Sequence, residues 1–208
     1  MERSAVARQG IFSIGSLERA QQVKIQLRYY GDPILREKTH PVTEITGELR
    51  VLVENMVETM REEKGVGLAA PQIGRSEALC VIEIPPDFDV DEDGKQTNPI
   101  CEMPMIFFNP KITKYSTVQW SMEEGCLSFP GISGPIQRSR NISVSYMDSN
   151  GNQVECELNG YTARVVQHEV DHLHGVLFID RMSPVRKAAV SGRLKRLSKE
   201  TLSDMGIV

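Results

Sequence analysis

The sequence predicts an α+β fold in which antiparallel or mixed β-sheets pack around a central helix spaced to bind a metal, with further helices toward the N- and C-termini. Three observations predict it. Ile142, Val144 and Tyr146 alternate with polar residues, Asp148-Ser149-Asn150-Gly151 supplies a turn, and Val154, Cys156 and Leu158 alternate on the return, so a β-hairpin offers one apolar face. Leu49, Leu52, Val53, Met56, Val57 and Met60 recur at helical spacing and describe one buried face. Gln167 to Gly175 contains His-Glu-x-x-His, and residues at i and i+4 share a helix face, so His168 and His172 can grip one ion with Glu169 beside it.

At 208 residues the chain suits one domain with a substantial core. A net charge of −4 gives no overall basic field for nucleic acid, although the C-terminal end is locally basic. Cys80, Cys101, Cys126 and Cys156 show no CxxC pairing, which suits a reducing compartment. No apolar run approaches the ~20 residues of a membrane helix, and no secretory h-region opens the chain. The reading is soluble, intracellular, and directed at small molecules or peptides.

In chain order, residues 1–24 read as an extension, with Arg3, Arg8 and Arg19 a weak echo of a transit peptide that Glu2 and Glu18 oppose. Tyr29 to Pro33 form a turn. A helix is expected from Thr43 to Lys64, stopped by Gly65. Gly65 to Gly74 is too glycine-rich for ordinary core and too apolar for a solvent loop, which suggests that something lies against its backbone. A strand over Ala78–Ile84 follows. Residues 85–104, rich in proline and acid, read as a solvated surface loop whose spacing does not fit a calcium loop. Met105–Phe108 and Ile112–Tyr115 read as strand segments around Asn109-Pro110. The histidine helix is expected from Tyr161 or Thr162 to His174, buried by Val165, Val166, Val170 and Leu173, with Gly175 at C′. Val176 to Ile179 read as a short buried strand, and Arg186 to Lys199 as a basic surface helix with Val190, Leu194 and Leu197 as a sparse apolar stripe.

Two histidines leave a catalytic metal one protein ligand short. Downstream, His174 points off the i, i+4 face and Asp180 lies past the short strand; upstream, Cys126 in Glu-Gly-Cys-Leu-Ser is the alternative, giving a Cys-His-His site with one open position. Gly65-Val66-Gly67-Leu68-Ala69-Ala70-Pro71-Gln72, Glu124-Gly125-Cys126-Leu127-Ser128 and Gln167-His168-Glu169-Val170-Asp171-His172-Leu173 together resemble the three motifs of peptide deformylases, in order and without substitution at their defining positions. The resemblance runs from about Gln26 to Leu197. It implies a metallohydrolase that removes the formyl group from the N-terminal formylmethionine of new polypeptides, with ferrous iron as the favoured ion and zinc or nickel as substitutes in a purified sample. It also implies three segments: an extension over 1–24, a catalytic domain over 25–182, and a C-terminal helix and tail over 183–208.

By the resemblance, Cys126, His168 and His172 are the metal ligands, Glu169 is the general base, and the Gln72 amide and Leu127 backbone N–H are oxyanion donors. The substrate pocket is expected from Val66, Gly67, Met122, Gly125, Tyr161, Arg164 and Val165. Relatives more often carry an apolar residue where Arg164 stands, so its stem is expected to line the pocket while its charge reaches water. Ser133 stands where some bacterial forms have arginine. Glu124 and Asp171 are candidates to orient the ligating histidines, Arg138 is expected to pair with Glu124, and Gln167 is left without a role. Expected partners are formylmethionyl nascent peptides and, through the basic C-terminal helix, the ribosome. The expected location is a bacterial cytosol, or an organelle if residues 1–24 are a transit peptide. Two competing readings stay open: a metallo-endopeptidase on the same helix, and a catalytically inactive metal-binding peptide module.

Overall fold

The computed structural model of the protein describes residues 25–207. The expectations for residues 1–24 therefore fall outside the described residues. In chain order the main elements are α1 (Gly47–Glu62), β1 (Gly67–Ala69), β2 (Leu79–Ile82), β3 (Met105–Tyr115), β4 (Gln119–Gly125), β5 (Ser133–Ser139), β6 (Asn141–Met147), β7 (Gln153–Asn159), α2 (Gly160–Leu173) and α3 (Pro184–Asp204). The fold is α+β, as expected, and its named strand pairs are all antiparallel: five strands in the order β1-β2-β3-β6-β7 and a separate β4-β5 hairpin.

The five-stranded sheet is covered on both faces, and β2 shows how. Its residues are apolar without interruption, so the period-two alternation sends Cys80 and Ile82 to one face and Leu79 and Val81 to the other. On the first face they meet Ala163, Val166 and Val170 of α2. On the second they meet Val53, Met56 and Met60 of α1. A third cluster joins Phe129, Ile132 and Ile136 of the β4-β5 region to Phe178, Ile179, Val190 and Leu194. Thus α2 lies between the large sheet and the hairpin, with every residue from Thr162 to Leu173 buried.

Several boundaries shift for identifiable reasons. The first helix begins at Gly47, not Thr43, because Thr46 caps it by accepting from the Leu49 N–H at 3.2 Å. Strand segments expected on either side of Asn109-Pro110 are one strand with a bulge; Asn109 adopts φ 52° and its side chain accepts from Val42 N and donates to Val42 O, both at 2.7 Å. The expected strand over Val176–Ile179 is a 3-10 turn at Phe178–Asp180. It is buried as expected, but the Asp180 carboxylate accepts from the Leu177 N–H at 3.0 Å and closes the chain on itself before a strand can form. The 85–104 segment is not wholly solvated either, since Asp89 and Asn98 are buried. Gly175 takes φ 69° directly after the α2 C-cap, as expected.

Candidate active site

Two further elements converge on α2. His168 and His172 stand one turn apart on its buried face, with ring centroids 5.1 Å apart. Cys126 follows β4 and sets its Sγ 3.3 Å from His172 Nε2, and the ligand atoms of Cys126, His168 and His172 all lie within 4.8 Å of one another. Gln72 comes from the 3-10 turn after β1. Its Oε1 accepts from the Ala69 N–H at 2.8 Å, which aims Nε2 toward Cys126 Sγ and Ser128 Oγ, each 3.4 Å away. The tight, glycine-bounded and otherwise apolar Gly65–Gly74 stretch thus brings a polar amide into a buried site.

Glycine is needed at Gly67 for space. A Cβ there would overlap the Glu169 carboxylate, and at Gly65 one would sit 2.8 Å from Leu127 Cδ1. The glycines let backbone close directly over the carboxylate and over the residue after the cysteine.

The histidines are oriented from the hairpin side. His168 Nδ1 faces Glu124 Oε2 at 3.2 Å, leaving Nε2 for the centre of the site. Glu124 is gripped by Arg138 through Nε at 2.7 Å and Nη2 at 2.9 Å, and Arg138 Nη1 donates to Asp171 at 2.8 Å. Asp171 accepts from Arg181 as well, at 2.5 and 2.6 Å. Asp171 therefore anchors arginines, and among the described residues no hydrogen bond joins it to the His168 or His172 ring. Gln167 ties α2 to β5, donating to Ser139 O at 2.9 Å and accepting from Ser139 N at 3.3 Å.

Arg164 corrects its sequence reading. It is 1% exposed, its guanidinium bonds Glu124, and it donates to Ile136 O at 3.0 Å and Trp120 O at 2.7 Å while lying 5.0 Å over the Trp120 ring. Its charge is held inside, not sent to water. No sequence signal names those two carbonyls, which belong to paired strands β4 and β5.

Proton affinities follow from this asymmetry. Burial pushes Glu169 up to about 7, against the lowering effect of His168 and Arg138. Burial works against ionised Glu124 too, but hydrogen bonds from His168 and Arg138 bring it down to about 2. Burial lowers His168, yet its bonds to Cys126 and Glu124 raise it to about 10, so this point in the site favours positive charge. His172 is held well below its ordinary value by burial and by the His168 and Arg138 charges, and stays in the neutral form that coordinates metal. Sulfur and imidazole donors within 4.8 Å of one another fit a divalent ion such as zinc or ferrous iron.

A cavity of about 660 Å³ opens onto this centre, lined by Val66, Gly67, Gln72, Gly125, Cys126, Leu127, Tyr161, Arg164, Val165, His168 and Glu169 among others. Met122, expected in its wall, is not among the lining residues. The other candidate ligands are elsewhere: His174 is exposed with Nδ1 2.8 Å from Val170 O, and Asp180 pairs with Arg36.

Residues 24–188 match the family described as polypeptide deformylase. The chain belongs to the peptide deformylase family. A peptide deformylase of Opitutus terrae is 43% identical over 183 residues, covering 86% of this chain and 95% of that one. Among solved structures, peptide deformylase from Plasmodium falciparum superposes with a TM-score of 0.75 at 38% identity, covering 86% of this chain and 98% of that one. The Thermotoga maritima peptide deformylase gives 0.68 at 42% identity over 78% and 99%. This deformylase is a hydrolase that removes the N-terminal formyl group from nascent polypeptides, and its family works with a catalytic metal. Neither an endopeptidase nor an inactive module is favoured. Among the described residues, no helix of the deformylase is long and apolar enough to cross a membrane.

Proposed function

We propose that Cys126, His168 and His172 hold one divalent cation, ferrous iron in preference to zinc or nickel, and that Glu169 is the general base and acid of deformylation. The observation that carries this reading is the Cys-His-His cluster opening onto the cavity, with the buried Glu169 carboxylate next in sequence to one of its members and pushed up by burial to about 7. When bound, the cation supplies Lewis acidity toward a water and the formyl oxygen.

This chain's residues do the rest. Glu169 takes a proton from the attacking water and, as the carbon–nitrogen bond breaks, returns it to the amine, so formate leaves and a free N-terminus remains. Gln72 Nε2 and the Leu127 N–H donate to the oxygen that gains charge as the formyl carbon becomes tetrahedral. Val66, Gly67, Gly125, Tyr161, Arg164 and Val165 enclose the first side chain and exclude water. Glu124 holds the His168 ring in register.

Bacterial relatives support a cytosolic location, where formylmethionyl chains emerge. On α3, exposed Arg186, Lys195, Arg196 and Lys199 support docking on an RNA-rich partner such as the ribosome. Cosedimentation with ribosomes should weaken as salt rises and on reversing Lys195, Arg196 and Lys199 to glutamate; binding indifferent to both rules docking out.

The decisive assay offers formyl-Met-Ala-Ser and a peptide with only internal bonds, with metal measured and dioxygen excluded. Formate release from the first alone supports the reading. Cleavage of the second alone sinks it.

A further inference from the structure

The segment between β2 and β3 is fastened more firmly than its acidic, proline-rich composition requires. Asp89, 4% exposed, accepts from Thr162 Oγ1 at 2.9 Å, Thr97 Oγ1 at 2.7 Å, Asn98 N at 3.1 Å and Asn98 Nδ2 at 2.5 Å. Asn98 in turn donates to Asn159 O at 3.1 Å and accepts from Asn159 N at 2.9 Å. Several donors offset the cost of taking the Asp89 carboxylate out of water, and together they fix the segment at one place on α2. That place is the start of the helix, and Asn159 and Thr162 bracket Tyr161.

Next to Asp89, Phe88 keeps 59% of its surface exposed, yet its ring lies 5.7 Å from that of Tyr161, tilted by 37°. The separation and tilt are those of a favourable aromatic pair. Tyr161 lines the cavity and Phe88 does not, so Phe88 backs the wall from outside. Cys101 and Met103 of the same segment pack, like Tyr161, against the core under α2.

We infer that residues 85–104 are a brace for the cavity wall, with Phe88 a positioning residue that holds the Tyr161 ring and so sets how closely the pocket fits the substrate's first side chain. The inference rests on the deformylase reading and deepens it. Phe88 touches no reacting atom; it acts through Tyr161. Its removal frees the Tyr161 ring to rotate, which weakens apolar binding of the first side chain while leaving the proton-transfer geometry at Glu169 intact.

The experiment measures kcat and KM separately for formyl-Met-Ala-Ser and formyl-Phe-Ala-Ser with wild type, Phe88→Ala and Phe88→Tyr, alongside thermal melts. For Phe88→Ala, KM for the methionine substrate should rise about two- to tenfold with kcat within twofold, as loss of one aromatic pair predicts. Its preference for methionine over phenylalanine should shrink, and Phe88→Tyr should restore both. Wild-type KM and preference in Phe88→Ala overturn the inference and leave the deformylase reading standing. So does a fall in kcat matching the change in KM with a lowered melting point, which marks general loosening. Wild-type protein that deformylates neither peptide overturns both.

Discussion

Glu124 and Glu169 both lie beside His168, one reaching it from the hairpin side of α2 and the other following it in sequence toward the sheet, and the two sides treat a carboxylate in opposite ways. On the hairpin side Glu124 receives donors from Arg138, Arg164 and His168 and is held at about 2. On the sheet side Glu169 faces Gly67 backbone and the buried Cys80 thiol, its Oε2 meets no hydrogen-bond partner among the described residues, and burial lifts it to about 7. One carboxylate is held in its charged form against the His168 ring, and burial holds the other near neutrality, which suits the roles proposed for them. Environment, not residue type, divides the roles.

Exchanging charge for amide at each site is the largest test of that division. Glu169→Gln should lower kcat about 10²- to 10⁴-fold while metal content stays at the wild-type level. Glu124→Gln should instead weaken metal retention about 10- to 100-fold, read by chelator competition, because the acceptor facing His168 Nδ1 loses its negative charge and its charge-assisted hold on Arg138. The comparison breaks if the two phenotypes are reversed.

The hairpin side should be the more fragile in stability. Arg138 is nearly fully buried and joins Glu124 to Asp171, so Arg138→Leu leaves both carboxylates short of a donor. Loss of one partner from such a network costs about 3–5 kcal/mol, read as a lowered urea midpoint with an unchanged slope. The sheet side should show a catalytic defect without that loss. In Gly67→Ala the new methyl displaces the Glu169 carboxylate, and a shift of about 1 Å in a reacting group can cost about 10²-fold in rate. Retained metal with kcat near wild type would show that Glu169 need not sit against Gly67.

The sheet side was the more readable in sequence. His168, Glu169 and His172 declare themselves because one helix fixes their spacing, and the glycines before Gln72 flag a close approach whatever approaches. Cys126 is different: it lies on another element, so local periodicity cannot join it to the helix, and it enters the sequence reading as an alternative third ligand that the resemblance of the three motifs then selects. The hairpin side depends on strand register. Pairing of Trp120 with Arg138 and of Met122 with Ile136 decides which carbonyls face Arg164, and neither strand β4 nor β5 carries enough alternation to announce itself. Hence the Arg164 charge was expected in water, Met122 in the pocket, and residues 85–104 in solvent. For Arg164 and for residues 85–104 a long-range polar partner outweighed local composition, and for Met122 the strand register did.

Arg164 offers the smallest and most discriminating test. Glu124 keeps its bidentate bond to Arg138 if Arg164 is lost, so the anion itself stays compensated. What Arg164→Leu removes is the donor to Ile136 O and Trp120 O and the cation over the Trp120 ring. Unsatisfied buried acceptors cost about 1–3 kcal/mol, so the variant should melt below wild type yet above Arg138→Leu, with a changed Trp120 fluorescence, Trp120 being the single tryptophan. Metal retention should hold, since His168 still meets Glu124. A loss of metal as large as that of Glu124→Gln would mean that Arg164, and not Arg138, keeps Glu124 in place, and the hairpin side would have to be redrawn around the residue on α2 itself.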